Sequence, residues 1–174
     1  MRKPTGADPR KRKGLIIVHT GEGKGKSTAA FGLAMRAAGN KMNVFIMQFM
    51  KGPWKAGERK AFESLAPYVE VVPMGDGFTW DTENIEQDKA TARKAFDLVK
   101  GKLNSGKFEM VIFEEINYVL DYKFLPEDEV LETIKNNIAK KGKSIPICFP
   151  KNINGLNKCD VKIFEFSIPV LFRA

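Results

Sequence analysis

Lys24, Lys26 and Ser27 stand among glycines at positions 21, 23 and 25 in the stretch GEGKGKST. Alternating glycines let a chain turn tightly with its N–H groups facing inward. A helix starting just after them adds the positive end of its dipole. That combination cradles phosphate. Lys26 is placed to reach outer phosphates, and the Ser27 hydroxyl to hold Mg²⁺ or Mn²⁺. The candidate nucleotide-binding set is Gly21, Glu22, Gly23, Lys24, Gly25, Lys26, Ser27 and Thr28, with Lys26 and Lys24 as the catalytic cations. Lys24 has a plainer alternative, a lysine facing solvent. The spacing is unusual. A phosphate loop normally reads G-x-x-x-x-G-K-[ST]. Counting back from Gly25, the first glycine belongs at position 20, which is Thr20; the glycine is Gly21. The loop is one residue short, so its backbone donors must sit differently around the phosphates.

Two further groups of residues carry chemistry. Glu114 and Glu115 follow the apolar run MVIF. A carboxylate after a strand, in a chain with a phosphate loop, is placed to hold Mg²⁺ directly or through water; the plain alternative is an acidic turn. Phe78 and Trp80 lie in GDGFTWDTEN, and Trp54 in the preceding loop. Aromatics in exposed loops suit a large, flat, apolar ligand, whereas packing into the core is the alternative. His19 is the single histidine, which excludes metal sites built on several histidines and reads as a strand-end residue. NKCD, residues 157–160, looks like a guanine-reading motif, but no strand directly precedes it and no D-x-x-G accompanies it.

These residues need a scaffold. The chain has 174 residues, 43% hydrophobic and 29% charged, which suits one soluble globular domain. No apolar run approaches the roughly 18 residues that span a bilayer. Cys148 and Cys159 are the only cysteines and form no C-x-x-C, so a reducing cytoplasmic setting is expected. The net charge of +8 is concentrated in MRKPTGADPRKRKG. Residues 1–13 read as a flexible basic arm and 14–174 as a single α/β domain. Such an arm can bind nucleic acid, but no basic stripe with interleaved aromatics follows it, so nucleic acid is not the expected partner.

Strands are expected at residues 15–18, 44–49, 69–72, 108–113 and 145–149, with a sixth at 161–166. Helices are expected at 27–38, 58–65, 84–103 and from Pro126 to about Lys141. Asn84 and Gln87 are spaced for a capping box. Apolar strands alternating with helices predict a P-loop NTPase-like fold, a mostly parallel sheet of five to six strands covered on both faces. Ligands of such sheets bind at the strands' carboxyl ends. That makes residues 20–27, 50–58, 75–84 and 114–121 the functional loops.

GEGKGKSTAAFGLAMRAAG, MQFMKGPWKAGE, GDGFTWDT and EEINYVLDYKFLP resemble, in that order, the motifs of the ATP:cob(I)alamin adenosyltransferases, over about residues 14–138. The resemblance implies transfer of the 5′-deoxyadenosyl group of ATP to the Co(I) of a corrinoid, such as cob(I)yrinic acid a,c-diamide, with triphosphate leaving intact. It implies Mg²⁺ held by Ser27 and Glu115. Glu114 stands where the family usually carries Asp. It implies Phe78 and Trp80, with Trp54, against the corrinoid, a homodimer whose arm covers the partner's nucleotide, and a flavoprotein-type reductase as electron donor. Beyond the fifth strand CFPKNINGLNKCDVKIFEF contains no T-G-R, so contacts from that region are expected to differ. Three other readings stay open: a P-loop NTPase or small-molecule kinase, a nucleic-acid-stimulated ATPase, and a corrinoid- or ATP-binding homologue without activity.

Overall fold

The apolar run LIIVHT forms strand β1 (Leu15–Thr20), and the alanine-rich segment after the glycine loop forms helix α1 (Lys26–Gly39). There follow β2 (Val44–Gln48), α2 (Gly57–Glu63), β3 (Val69–Pro73), α3 (Ile85–Asn104), β4 (Met110–Glu114), α4 (Ile116–Asp121), α5 (Glu127–Lys141), β5 (Ser144–Cys148) and β6 (Val161–Glu165). This computed structural model describes residues 15–21, 24–52, 57–75, 84–141, 144–148 and 161–165. The strands lie in the order β3-β2-β4-β5-β1-β6, and every neighbouring pair is parallel.

Strand alternation explains why both faces are covered. Successive side chains point to opposite sides of a sheet. Val44, Ile46, Met110 and Ile112 face one way and pack with Ala30, Ala34 and Ala37 of α1 and Phe62 of α2. Phe45, Met47, Val111 and Phe113 face the other way, with Ile16 and Val18 of β1. There they meet Ala92, Ala95, Phe96, Val99 and Leu103 of α3 and Val130, Leu131 and Ile134 of α5. Those spacings are the stripe of an amphipathic helix. The alanine stripe of α1 has another effect: small side chains let that helix lie close to the sheet.

The expected helices and strands are present, with two instructive differences. Residues 114–121, read as a loop, contain the short helix α4. Six residues are too few for helical periodicity to show in a sequence. The helix stands because Ile116, Asn117 and Val119 are buried. Glu115 begins it in the left-handed conformation, with φ of 62°. The capping box of α3 is half made. Asn84 Oδ1 accepts from the Gln87 N–H at 3.2 Å, but the Gln87 side chain turns along the helix to the Thr91 hydroxyl.

Candidate functional site

Helix α1 carries the first half of the site. Gly21 and Gly25 have φ of 110° and 112°, a region that side chains with a Cβ disfavour. The displaced Gly21 is therefore the residue at which the chain turns out of β1, and Gly25 the one at which it turns into α1. Between them the loop is drawn together by Lys26, whose Nζ donates to the Gly21 carbonyl at 2.8 Å. Lys24 and Thr28 are exposed, and Ser27 is half-buried in the first turn of α1. Glu22 and Gly23 lie outside the described residues.

From its start after β1, α1 packs across β5, β4 and β2. The crossing brings Ser27 to the carboxyl end of β4, although β5 separates β4 from β1. There the Ser27 hydroxyl donates to Glu114 Oε1 at 2.9 Å. Glu114 is the last residue of β4. It shares the strand face of Met110 and Ile112, which is the α1 face, and it is fully buried.

A buried carboxylate must be paired and hydrogen-bonded. Lys51 Nζ lies 2.9 Å from Glu114 Oε1, the oxygen that Ser27 also meets. Gln48, beside Glu114 in register on β2, donates from Nε2 to Oε2 at 3.3 Å. Arg59 on α2 donates from Nε to Gln48 Oε1 at 2.9 Å and from its terminal nitrogen to the Gly52 carbonyl at 2.8 Å. Lys51 also pairs with Glu58 at 3.2 Å. Burial alone would lower the Lys51 pKa, but Glu114, with Glu58 and Glu115, outweighs it and holds the ammonium above its usual value. Lys51 is placed by a close backbone approach. A Cβ on Gly75 would come within 2.3 Å of the Met50 carbonyl carbon, and the Gly75 N–H donates to the Lys51 carbonyl at 3.1 Å.

Glu115 differs from its neighbour. Burial first, and then the charge of Glu114, push its carboxyl up to about 7, against the pull of Lys51. The resemblance pairs Ser27 with Glu115; in the structure the hydroxyl bonds Glu114, and Glu115 occupies the adjoining left-handed turn. His19 is buried at the end of β1, and burial lowers its pKa, so the imidazole is neutral near pH 7.

Among the described residues, no group of three or more His, Cys, Asp or Glu is arranged to hold a metal. A hydroxyl beside one buried carboxylate is still a suitable oxygen pair for Mg²⁺. That ion is commonly held by one or two carboxylates with substrate phosphates and water completing its shell. Glu114 Oε1 already accommodates a positive charge, that of Lys51. Trp54, Phe78 and Trp80 lie outside the described residues. Gln48, Lys51, Glu58 and Arg59 carry no role in the sequence reading. Gln48, Lys51 and Glu58 do lie in the motif MQFMKGPWKAGE, a glutamine closing an apolar strand and charged residues in the loop at its carboxyl end, and Arg59 directly follows it.

Fold and site define a parallel α/β protein whose candidate centre lies at the carboxyl ends of β2 and β4, beneath the start of α1. Residues 12–144 match the family described as ATP:corrinoid adenosyltransferase BtuR/CobO/CobP. Over 128 residues the chain is 43% identical to the corrinoid adenosyltransferase of Escherichia coli (strain K12), covering 74% of this chain and 64% of that protein. It is 42% identical, over the same shares, to corrinoid adenosyltransferase CobA of Salmonella typhimurium. It is 40% identical over 124 residues to the corrinoid adenosyltransferase of Sinorhizobium sp., covering 71% and 58%. The chain belongs to the corrinoid adenosyltransferase family. It spans about 64% of the length of the first two of these relatives. Among the described residues no helix is long and apolar enough to cross a membrane.

Proposed function

We propose that this chain transfers the 5′-deoxyadenosyl group of ATP to the Co(I) centre of a corrinoid, in adenosylcobalamin synthesis or salvage. The observation that carries the proposal is the 2.9 Å bond from Ser27 to the buried Glu114, where the glycine loop of a P-loop NTPase-like fold meets a strand-end carboxylate. Family membership supplies the reaction class. The cobalt electron pair of the substrate forms the bond to C5′ of ATP. The C5′–oxygen bond breaks, and its electron pair leaves with triphosphate. No proton moves, so the transfer needs no base. It needs a leaving group held still and in line.

The chain's residues divide that work. The N–H groups of the loop and the start of α1 face the triphosphate, and Lys26 exchanges the Gly21 carbonyl for its outer oxygens. Ser27 and Glu114 would hold Mg²⁺, and bound Mg²⁺ neutralises charge on the departing triphosphate. Phe78 and Trp80, with Trp54, form the corrinoid side, and Lys24 adds charge at the loop. A separate flavoprotein-type reductase supplies electrons. The chain works in the cytoplasm as a homodimer, its basic arm over the partner's nucleotide.

One observation favours a second reading, nucleotide hydrolysis. Glu115 follows the metal carboxylate directly, in a left-handed turn between β4 and α4, beside the site where a base acting on water would stand. Products separate the two readings. Anaerobic incubation with ATP, Mg²⁺ and chemically reduced corrinoid should give the spectrum of a cobalt–carbon bond and an equal amount of triphosphate. ADP and phosphate appearing without corrinoid would instead establish hydrolysis.

A further inference from the structure

Glu114 can serve the nucleotide only if its two oxygens keep their directions. Oε1 meets Ser27 and Lys51, both 2.9 Å away, and Oε2 meets the Gln48 amide. An amide can present either its oxygen or its nitrogen, and nothing in Gln48 itself selects one. The selection comes from the other side. An arginine has donors only, so the amide oxygen of Gln48 must face Arg59 Nε, which it meets at 2.9 Å. The amide N–H₂ is thereby turned toward Glu114 Oε2. A flipped amide would set its oxygen against the carboxylate and its N–H₂ against the guanidinium, unfavourable at both ends. Gln48 and Glu114 are both fully buried, so water cannot take over either role.

We propose that Arg59 is a positioning residue for this reaction: acting through Gln48, it fixes the rotation of the Glu114 carboxylate that receives the metal–nucleotide. The proposal rests on the reading that Ser27 and Glu114 hold the metal. Arg59 is itself anchored, because its terminal nitrogen donates to the Gly52 carbonyl at 2.8 Å. The guanidinium thus spans from α2 to the chain leaving β2, and a shift of either reaches the carboxylate. Removing Arg59 leaves Glu114 and Ser27 in place but frees the Gln48 amide, which lies between Arg59 and Glu114, to flip. Loss of an outer partner of this kind costs roughly 10- to 100-fold in metal affinity.

The test is Mn²⁺ binding to the protein–ATP complex, read from the electron paramagnetic resonance signal of free Mn²⁺. Arg59→Met and Gln48→Met should each weaken binding about 10-fold. The double variant should be no weaker than either single one, because both cut the same chain of bonds. Arg59→Lys, which keeps a donor, should recover part of the loss. Unchanged Mn²⁺ affinity with a lowered thermal midpoint would make Arg59 merely structural and overturn the relay, as would losses that add. Should Arg59→Met not fold, Gln48→Met alone decides: wild-type Mn²⁺ affinity in it overturns the proposal. Ser27→Ala and Glu114→Gln separate the two levels. If they leave Mn²⁺ binding intact, the metal-site reading falls and the relay with it. If they weaken it while Arg59→Met and Gln48→Met do not, the relay alone falls.

Discussion

Lys26 illustrates how a charged side chain is kept ready without being committed. Its ammonium donates to the Gly21 carbonyl across the loop, a bond that a triphosphate oxygen can replace with a stronger, charge-assisted one. It stands at the first position of α1, half-buried at the edge of the loop rather than in the core clusters. Lys26→Ala should therefore cost about 2 to 4 kcal/mol in the transition state, or roughly 30- to 1000-fold in rate, with little change in thermal midpoint. The exposed Lys24 should matter less on substitution. Steady-state adenosyl transfer measured beside thermal unfolding checks both, and wild-type turnover in Lys26→Ala would remove the phosphate-clamp assignment. The neighbouring carboxylates show the same dependence on place. Glu114 closes β4 on the α1 face, while Glu115 lies one residue beyond in a left-handed turn.

Among the elements, α3 and α5 are clamped at their outer edge by Glu129. Its carboxylate receives both oxygens' bonds from Arg93 at 2.8 Å and one from Lys100 at 3.0 Å. The Arg93 bond first, and then Lys100, hold the Glu129 carboxyl below its usual value. A lowered carboxyl pKa adds stability that is fully present above the unfolded value of 4.5 and is lost as pH falls through the folded value. Arg93→Gln should thus be less stable than wild type at neutral pH, by up to ~1 kcal/mol because the pair is partly exposed and screened. The gap should narrow as pH falls below the unfolded value and through the lowered folded one. Denaturant unfolding at pH 7 and pH 3.5 reads it directly, and a gap independent of pH would mean that Arg93 contributes by packing rather than charge.

For the whole molecule, the decisive feature is a helix that starts beside one strand and ends its path over others. Because α1 lies on its alanine face, its closeness to the sheet sets the distance from Ser27 to Glu114. Ala34 is fully buried on that face. Ala34→Leu should cost about 1 to 3 kcal/mol by overpacking. It should also lower ATP affinity, since the displaced helix lifts Ser27 from the carboxylate. Phe96→Leu, on the opposite face of the sheet, should lose stability yet bind ATP nearly as wild type. Calorimetric ATP titrations of the two variants make the comparison, and equal losses of affinity would show that the site responds to stability alone.

The element pattern was legible in the chain because hydrophobic periodicity is a local property. The runs at β1, β2 and β4 and the stripe of α3 declare themselves within a few residues, and so does the glycine loop. Helix α4 did not, being too short for a period and held by burial that other elements provide. The partner of Ser27 was not legible either. It lies 87 positions away, and two adjacent carboxylates offered themselves. Strand alternation chose between them, because Met110, Ile112 and Glu114 share the face that α1 covers. The Arg59–Gln48–Glu114 chain was further from view, as it joins three elements that only the sheet order brings together. Sequence alone determined which residue types were available to hold phosphate and metal, since glycine freedom, charge and hydroxyl chemistry belong to single residues. Only the tertiary structure decided which of them meet, because a 2.9 Å bond between distant segments depends on how a helix crosses a sheet.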